Sequence, residues 1–365
     1  MRGGIFVEKT LMKGNEAIAE AAVRAGCRYF FGYPITPQNA LPEYMSHRLP
    51  EVGGVFLQAE SEVAAINMVY GAAGAGARVL TSSSSPGISL KMEGISYIAG
   101  AELPCVIVNI MRAGPGLGGI QPSQADYFQA TKGGGHGDYH MTVLAPSSVQ
   151  EAVDLTMEAF EIADYYRNPV MILGDGIIGQ MMEPVVFKKS INPKELEPKE
   201  WATTAAKNRK PNIINSLILD TEKLEEHNLK LKAKYDEMKE KEIRAELYEM
   251  ADAEFSVVAY GTTARIAISA VDMAREKGIK VGLIRPISLF PFPKKVIRST
   301  LVNIKAYLAV EMSLGQMVED VKLSVAGQRP VHFYGRTGGM IPTAEAILEK
   351  IEEIKMDYHT EGRVK

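Results

Sequence analysis

Residues 77–112, ARVLTSSSSPGISLKMEGISYIAGAELPCVIVNIMR, contain two apolar runs with a helical pattern between them. ARVLTSSSS and LPCVIVNIMR have the composition of buried strands, and PGISLKMEGISYIAG has the pattern of a helix. A strand, a helix and a second strand in this order indicate a parallel pair joined by a crossover helix. This unit predicts an α/β fold.

The alternation of strands and helices extends on both sides of this unit. Before residue 186, six apolar strands alternate with helical patterns: CRYFFGYP, GGVFLQ, ARVLTSSSS, LPCVIVNIMR, HMTVLAP and PVMILGD. Apolar strands joined by helices are typical of a parallel sheet covered on both faces. Later strands, FSVVAYG, KVGLIRP, AYLAVEM and PVHFYGR, predict a second α/β unit. The predicted fold class is therefore α/β with two parallel-sheet domains.

Composition divides the chain into three segments. We predict an α/β domain at residues 1–185, a linker and charged helical segment at 186–252, and a C-terminal α/β domain at 253–365. Residues 186–216 are poorly patterned and contain several prolines, whereas 217–250 are predicted to be helical because apolar residues recur every seven positions from Leu217 to Met238. That helix either packs on its own domain or contacts a second subunit.

Charge and cysteine content exclude several classes of protein. The 365 residues have a net charge of -3, so neither nucleic acid nor a membrane is expected as a partner. No signal peptide pattern and no apolar run of about 18 residues is found, which argues against secretion and membrane spanning. Cys27 and Cys105 lie in apolar surroundings and are expected to be free thiols in a reducing cytoplasm. Without C-x-x-C, an iron–sulfur cluster or cysteine zinc site would have to belong to a partner.

Polar residues gather where strands of the first domain end. The groups at four consecutive strand ends are Tyr33 to Pro37, Gln58 with Glu60 and Glu62, Ser82 to Gly87, and Arg112 with the glycine-rich AGPGLGG. Ligands of open parallel sheets lie at this edge because helix N-termini and loop amides meet there. Pro34 and Pro37 limit backbone freedom on either side of Thr36. We expect a small anionic substrate and a polar cofactor at this edge.

Each of these groups also has a purely structural interpretation. Glu60 and Glu62 fall at the start of a helix, where acids complement the helix dipole. Ser82 to Ser85 could form a turn and helix cap. Arg112 could be a surface arginine paired with an acid, although an arginine that ends an apolar strand before several glycines is better placed to face a ligand.

Other catalytic chemistry has little support in the sequence. His136 and His140, in KGGGHGDYH, lack acids or cysteines at ligand spacing and are expected to be loop or core residues, so no metal site is predicted. The chain has no G-x-x-x-x-G-K-[ST] or G-x-S-x-G motif, and GTTARIA after FSVVAYG is not a G-x-G-x-x-G fingerprint. A classical ATPase, an NAD dehydrogenase and a serine hydrolase are therefore disfavoured.

Several segments together resemble one family. They are GYPITPQN, LQAESEVAAINMVYGAAGAGARVLTSSSSPGISLKMEGISYIAGAELPCVIVNIMRAGPG, KGGGHGDYH, FSVVAYGTTARIA and VEMSLGQM. They look like the alpha subunit of the 2-oxoacid:ferredoxin oxidoreductases, most closely the 2-oxoisovalerate (branched-chain) type, over almost the whole chain. The resemblance implies a thiamine-diphosphate pyrimidine-binding-type domain followed by a transketolase C-terminal-like domain.

The resemblance also implies residue roles. Glu62 matches the glutamate that hydrogen-bonds the aminopyrimidine ring, and the alignment of SEVAAINMVYGA selects it over Glu60. Thr36 and Arg112 match substrate-contacting residues, and with Glu62 they are the expected catalytic residues. The other expected ligand-binding residues are Ser85, Pro86 and Gly87 for the cofactor, and Tyr33 and His136 for the substrate.

The resemblance further implies that the chain works within a complex. A beta subunit would bind the diphosphate and Mg, and 4Fe-4S clusters would sit there or in a gamma and/or ferredoxin-like delta subunit. CoA would accept the acyl group and ferredoxin the electrons. A 2-oxoglutarate-type subunit and a non-catalytic assembly subunit are the alternatives. No basic residue lies between Arg112 and Lys132 to meet a second carboxylate, which favours an uncharged branched substrate.

Overall fold

Strands and helices alternate along the chain, whose structure, a computed structural model, describes residues 9–361. The strands are β1 Thr10–Lys13, β2 Tyr29–Gly32, β3 Val55–Gln58, β4 Val79–Ser83, β5 Cys105–Met111, β6 Thr142–Leu144, β7 Pro169–Asp175, β8 Met182–Val185, β9 Ala245–Tyr248, β10 Phe255–Val258, β11 Val281–Pro286, β12 Ser288–Phe290, β13 Ala306–Glu311 and β14 Val331–Gly335. The α-helices are α1 Gly14–Arg24, α2 Ala40–Glu51, α3 Glu62–Gly74, α4 Pro86–Gly100, α5 Tyr127–Thr131, α6 Val149–Tyr166, α7 Gly176–Gln180, α8 Thr221–Lys241, α9 Gly261–Glu276, α10 Lys294–Thr300, α11 Met317–Val325 and α12 Ala344–Glu361, and Pro193–Glu195 form a 3-10 turn.

The first sheet has seven strands in the order β12-β6-β7-β5-β4-β2-β3. Its six N-terminal strands pair in parallel, as the apolar runs predict. Every residue of β5 and β7 is buried, which is the state of strands in a sheet covered on both faces. The α/β prediction is confirmed, and the carboxyl ends of β2, β4 and β5 lie at one edge.

The edge strand β12 was not expected from the sequence. It follows β11 of the second unit and pairs antiparallel with β6, so the second unit contributes a strand to the first sheet. Only Ile287 separates it from β11, so the two strands form one apolar run in the sequence. The small antiparallel pair of β1 and β8, which joins the start of the first domain to its end, was also not predicted.

The second sheet has five strands in the order β14-β13-β10-β11-β9. The four predicted strands are parallel, whereas β9 pairs antiparallel with β11. The prediction of helix through residue 250 is therefore wrong at its end: α8 stops at Lys241, and the charged composition around AELY hides a short strand.

Helix α8 packs on its own chain through its C-terminal half. Leu231, Tyr235 and Met238 are buried, and the ring of Tyr235 contacts that of His140 edge-on at 5.4 Å. Leu217 precedes the helix and is 68% exposed. The seven-residue repeat therefore describes packing only from the middle of the helix onward.

The two sheet units are joined by buried polar contacts. Gln124 Nε2 donates to Tyr260 O at 2.9 Å, and its Oε1 accepts from Met312 N at 3.0 Å. Arg285 in β11 forms a bidentate pair with Glu151 in α6, at 2.8 and 2.9 Å. Within residues 9–361, no helix is long and apolar enough to cross a bilayer.

Candidate functional site

Two side chains hydrogen-bond the backbone of the turn that follows β2. Pro37 O accepts hydrogen bonds from Asn15 Nδ2 at 2.9 Å and Gln180 Nε2 at 2.6 Å. The Thr36 side chain remains half-buried, and its hydroxyl meets Asn39 Nδ2 at 3.5 Å. The turn therefore presents Thr36 at the edge on a fixed backbone, next to the exposed ring of Tyr33.

Arg112 lies directly beside this turn. Its Nη1 donates to Thr36 O at 3.0 Å and its Nη2 donates to Leu117 O at 3.2 Å. The residue is only 7% exposed, and its Nε has no partner among residues 9–361. No acid pairs with it anywhere in the described chain, so the interpretation of Arg112 as a surface arginine in an ion pair is wrong. A buried cation without a counter-charge is costly unless an anion joins it.

The Ser85 side chain hydrogen-bonds the backbone of Arg112. It has φ of 22°, and its hydroxyl donates to Asp126 Oδ2 at 2.6 Å while accepting from Arg112 N at 3.0 Å. Burial raises the pKa of Asp126, against hydrogen bonds from Ser85 and Asn109. The Ser85 hydroxyl does not cap α4, and the Ser85 backbone is also hydrogen-bonded, because its N donates to Asn109 Oδ1 at 3.2 Å and its O accepts from Ser89 N at 3.0 Å. The cofactor contact of Ser85 therefore stays a prediction.

Glu62 faces the start of α4. The side chain of Ser61, not Glu62, caps α3 by accepting from Ala64 N at 3.1 Å. Glu62 is 6% exposed, and a Cβ added to Gly87 would lie 2.7 Å from its Oε1 and 2.1 Å from Ser83 Oγ. Glycine at this position, directly after Pro86, thus lets the backbone of α4 lie close to the Glu62 carboxylate and the Ser83 hydroxyl. Glu60, in contrast, is exposed.

Buried polar atoms without a hydrogen-bond partner in the described chain lie at the ends of β4 and β5. Ser83 Oγ and Ser84 Oγ are buried and without a hydrogen-bond partner in the described chain, as is Arg112 Nε. Native proteins pair nearly all buried polar atoms, so a cluster of unpaired ones fits a polar ligand. A buried carboxylate and buried hydroxyls without partners fit the nitrogen-rich ring of thiamine diphosphate.

The structure does not bring His136 to the other predicted residues. Its loop is exposed, and the neighbouring Gly135 packs against Met92 and Ser96, further along α4. His140 stacks on Phe290 with ring centroids 4.3 Å apart, and burial lowers its pKa. Within residues 9–361, no group of three or more acids, histidines or cysteines could hold a metal ion.

Lys91 is a residue of this site that sequence reasoning missed. It is fully buried in α4, and its Nζ donates to Thr81 Oγ1 at 2.6 Å and to Ser82 O at 3.0 Å. Its position four residues after Gly87, within an otherwise apolar stretch, places it on the same helix face and was the available signal.

The two sheet units and the polar edge define a class, that of thiamine-diphosphate-type α/β subunits. The model of the family "Pyruvate flavodoxin/ferredoxin oxidoreductase, thiamine diP-bdg" matches residues 20–250, and "Pyruvate:ferredoxin oxidoreductase core domain II" matches 253–347. The chain belongs to the 2-oxoacid:ferredoxin oxidoreductase family, as one subunit of such an enzyme.

Curated relatives cover nearly the whole chain. The ketoisovalerate oxidoreductase subunit VorB of Methanothermobacter marburgensis is 54% identical over 94% of this chain and 97% of its own. The 2-oxoglutarate synthase subunit KorA of Methanothermobacter thermautotrophicus is 37% identical over 95% of this chain and 99% of its own.

A solved structure shares the fold. It is the 2-oxoglutarate:ferredoxin oxidoreductase from Magnetococcus marinus with 2-oxoglutarate, coenzyme A and succinyl-CoA bound, with a TM-score of 0.83 and 25% identity. The match covers 95% of this chain and 65% of that one.

Proposed function

We propose that this chain supplies the aminopyrimidine side of a thiamine diphosphate site in a branched-chain 2-oxoacid:ferredoxin oxidoreductase. The observation that carries the proposal is the buried Arg112 guanidinium, which forms no ion pair with an acid in the described chain. Its Nη1 donates to Thr36 O at 3.0 Å, at the edge of the sheet where Glu62 faces Gly87. A 2-oxoacid requires an anion site for its carboxylate, and the cofactor ring requires a carboxyl group that can hydrogen-bond it.

The roles follow from the chemistry of each group. Thiamine diphosphate, when bound, supplies the carbon nucleophile and the electron sink for loss of carbon dioxide. The Glu62 carboxyl would hold a proton at a ring nitrogen, and Gly87 would let the start of α4 lie close to that carboxyl. Arg112 would bind the substrate carboxylate, while Thr36 and Tyr33 fix its orientation.

Partner subunits complete the proposed enzyme. A beta subunit would carry the diphosphate and Mg, and a gamma and/or ferredoxin-like delta subunit would carry 4Fe-4S clusters. Cys27 and Cys105 are buried, and burial raises the pKa of each thiol to about 12, so neither is suited to bind a cluster. CoA would accept the acyl group and ferredoxin the electrons. Inert free thiols also fit a cytoplasmic enzyme.

Apolar side chains near Arg112 favour the branched-chain substrate. Leu117 O accepts a hydrogen bond from Arg112 Nη2, so the Leu117 residue lies next to Arg112. Leu117 is 82% exposed, and Ile120 on the same loop is also exposed. Similarity to VorB supports this choice, whereas similarity to KorA keeps 2-oxoglutarate as the second candidate. We retain the division of the chain into residues 1–185, 186–252 and 253–365 as a proposal.

The test is viologen reduction by the purified complex. With CoA present, we expect 2-oxoisovalerate to be turned over with a higher kcat/KM than 2-oxoglutarate. Glu62→Gln should lose about 100-fold or more of kcat while the complex assembles, because a positioned acid or base is worth that much. Glu60→Gln is the matched control and should keep full activity. Equal activity of the two variants would contradict the role of Glu62 and favour an assembly subunit.

A further inference from the structure

The segment that follows the glycine-rich loop is fixed to the second sheet unit. Gln316, directly before α11, bonds this segment through both ends of its side-chain amide: its Nε2 donates to Ala125 O at 2.7 Å, and its Oε1 accepts from Phe128 N at 2.7 Å. Asp126 lies between these two anchored residues. The second unit therefore holds the backbone of Asp126 in place.

The side chain of Asp126 does not cap its own helix. Asp126 occupies the N-cap position of α5, where an aspartate commonly accepts a hydrogen bond from a backbone N–H of the first turn. No such bond is formed. Its Oδ2 accepts instead from Ser85 Oγ at 2.6 Å and from Asn109 Nδ2 at 2.9 Å. The carboxyl group thus joins Ser85, which follows β4, to Asn109 within β5.

Ser85 has a backbone conformation that requires such support. Its φ of 22° is rare for a residue with a side chain, and conformations of this kind persist only when the surrounding structure fixes them. Asn109 Oδ1 accepts from Ser85 N at 3.2 Å, and the Asp126 carboxyl group holds the Ser85 hydroxyl. That hydroxyl accepts in turn from Arg112 N at 3.0 Å. A chain of hydrogen bonds therefore runs from Asp126 through Ser85 to the backbone of Arg112.

We propose that Asp126 is a positioning residue that orients Arg112 for the 2-oxoacid carboxylate through the Ser85 hydroxyl. The Arg112 guanidinium bonds two carbonyl oxygens and no acid in the described chain, so its direction depends on where the Arg112 backbone is held. A displacement of about 1 Å is enough to weaken a charge-assisted contact to the substrate. The second sheet unit thereby takes part in substrate binding. This inference rests on the proposed function, in which Arg112 binds that carboxylate.

The test compares two replacements of Asp126 in the purified complex. Viologen reduction with CoA gives KM and kcat for 2-oxoisovalerate, and calorimetry gives the affinity for thiamine diphosphate. Asp126→Ala should raise KM about tenfold while kcat changes less than about threefold, because the lost orientation weakens substrate binding. Asp126→Asn keeps an oxygen that can accept from Ser85 and Asn109, so its KM should stay within about twofold of the wild type.

A matched control lies at the next residue of the chain. Tyr127 is buried, and its hydroxyl donates to Asp320 Oδ2 of α11 at 2.6 Å, so it joins the same two units without bonding Ser85. Tyr127→Phe should lower Tm and keep the wild-type KM. If Asp126→Ala likewise lowers Tm and keeps the wild-type KM, its role is structural and the inference is overturned. If Asp126→Ala does not assemble, Ser85→Ala takes its place, because it removes the hydroxyl that links Asp126 to Arg112, and it should show the same rise in KM.

A double variant tests whether Asp126 acts through Arg112. Arg112→Met combined with Asp126→Ala should have the KM of Arg112→Met alone, because no guanidinium remains to be oriented. Increases in KM that multiply would show independent effects and overturn the inference. Arg112→Met alone separates the two proposals. If it keeps the wild-type KM, the proposed role of Arg112 fails and this inference fails with it. If it raises KM while Asp126→Ala does not, only the role of Asp126 is wrong.

Discussion

Replacing Arg112 by methionine should separate substrate binding from folding. The change removes hydrogen bonds to Thr36 O and Leu117 O, each of which, with a charged donor, contributes about 1.5–3 kcal/mol. It also removes a buried cation that has no acid partner in the described chain and an unpaired Nε, whose burial costs several kcal/mol. The two effects oppose each other, so we expect the free energy of unfolding to change by less than about 1 kcal/mol.

Substrate binding should respond much more strongly. Loss of the charge-assisted contact to the 2-oxoacid carboxylate should cost about 1.5–3 kcal/mol, which raises KM roughly 10- to 150-fold. Thiamine diphosphate affinity should stay within about twofold, because Glu62 and Gly87 are untouched. Viologen reduction gives KM, calorimetry gives the cofactor affinity, and thermal unfolding monitored by circular dichroism gives stability.

Arg78 provides the matched control for this experiment. It is equally buried but paired, with Nε 2.7 Å from Asp164 Oδ2 and Nη2 2.8 Å from Glu161 Oε1. Arg78→Met should lower the free energy of unfolding by about 2–3 kcal/mol, at the low end for a buried pair because Glu161 is itself largely exposed, and should leave KM unchanged. An Arg112→Met variant with wild-type KM and a stability loss like that of Arg78→Met would refute the assignment of Arg112 as the anion site.

Three further changes probe other parts of the structure. Gly87→Ala places a Cβ 2.1 Å from the buried Ser83 Oγ and 2.7 Å from Glu62 Oε1, so thiamine diphosphate affinity should fall at least about tenfold by calorimetry, and the free energy of unfolding should fall by about 1–3 kcal/mol. Burial alone would raise the pKa of Glu20, but hydrogen bonds from Arg48 and a second arginine lower it below 4.5. The stability that Glu20 provides is therefore present above about pH 4.5 and lost as the pH falls, so the Tm of Glu20→Gln should drop less between about pH 5 and 3 than that of the wild type. Gln124→Leu breaks three hydrogen bonds to the second sheet unit and should cost about 2–3 kcal/mol in denaturant unfolding.

The sequence predicted those features that repeat or that stand at a strand end. Apolar runs located the parallel strands, and the end of β5 located Arg112. Strand β9 was missed because AELY lies in a highly charged stretch with a helical pattern, and β12 because a single residue separates it from β11; both form through antiparallel pairing with distant segments. Long-range pairing is set by tertiary packing, which one segment of sequence does not contain.

The sequence predicted some residues of the site and missed the contacts between them. The sequence identified Arg112 and Glu62 because charged residues beside apolar strands and helices are conspicuous. It did not identify the residues that these two side chains contact. The Ser85 hydroxyl joins Asp126, 41 positions away, so a serine that looked like a ligand contact or a helix cap is part of the support behind Arg112. His136 looked equally suited to the substrate and lies on an exposed loop along α4. Which polar residues touch each other, rather than which are present, is what the sequence left open.

The charges at this edge bear on the choice of substrate. Burial raises the pKa of Asp126, and its carboxyl group bonds Ser85 and Asn109 rather than the Arg112 guanidinium. Arg112 is therefore a cation without an acidic partner among the described residues of the site. A 2-oxoacid with a single carboxylate neutralises it, whereas a dicarboxylic acid brings a second negative charge into a buried space, where no lysine or arginine of residues 113–131 can meet it. Because an unpaired buried charge costs several kcal/mol, the electrostatics of this chain favour a monocarboxylic, aliphatic substrate over 2-oxoglutarate unless a partner subunit supplies the second cation.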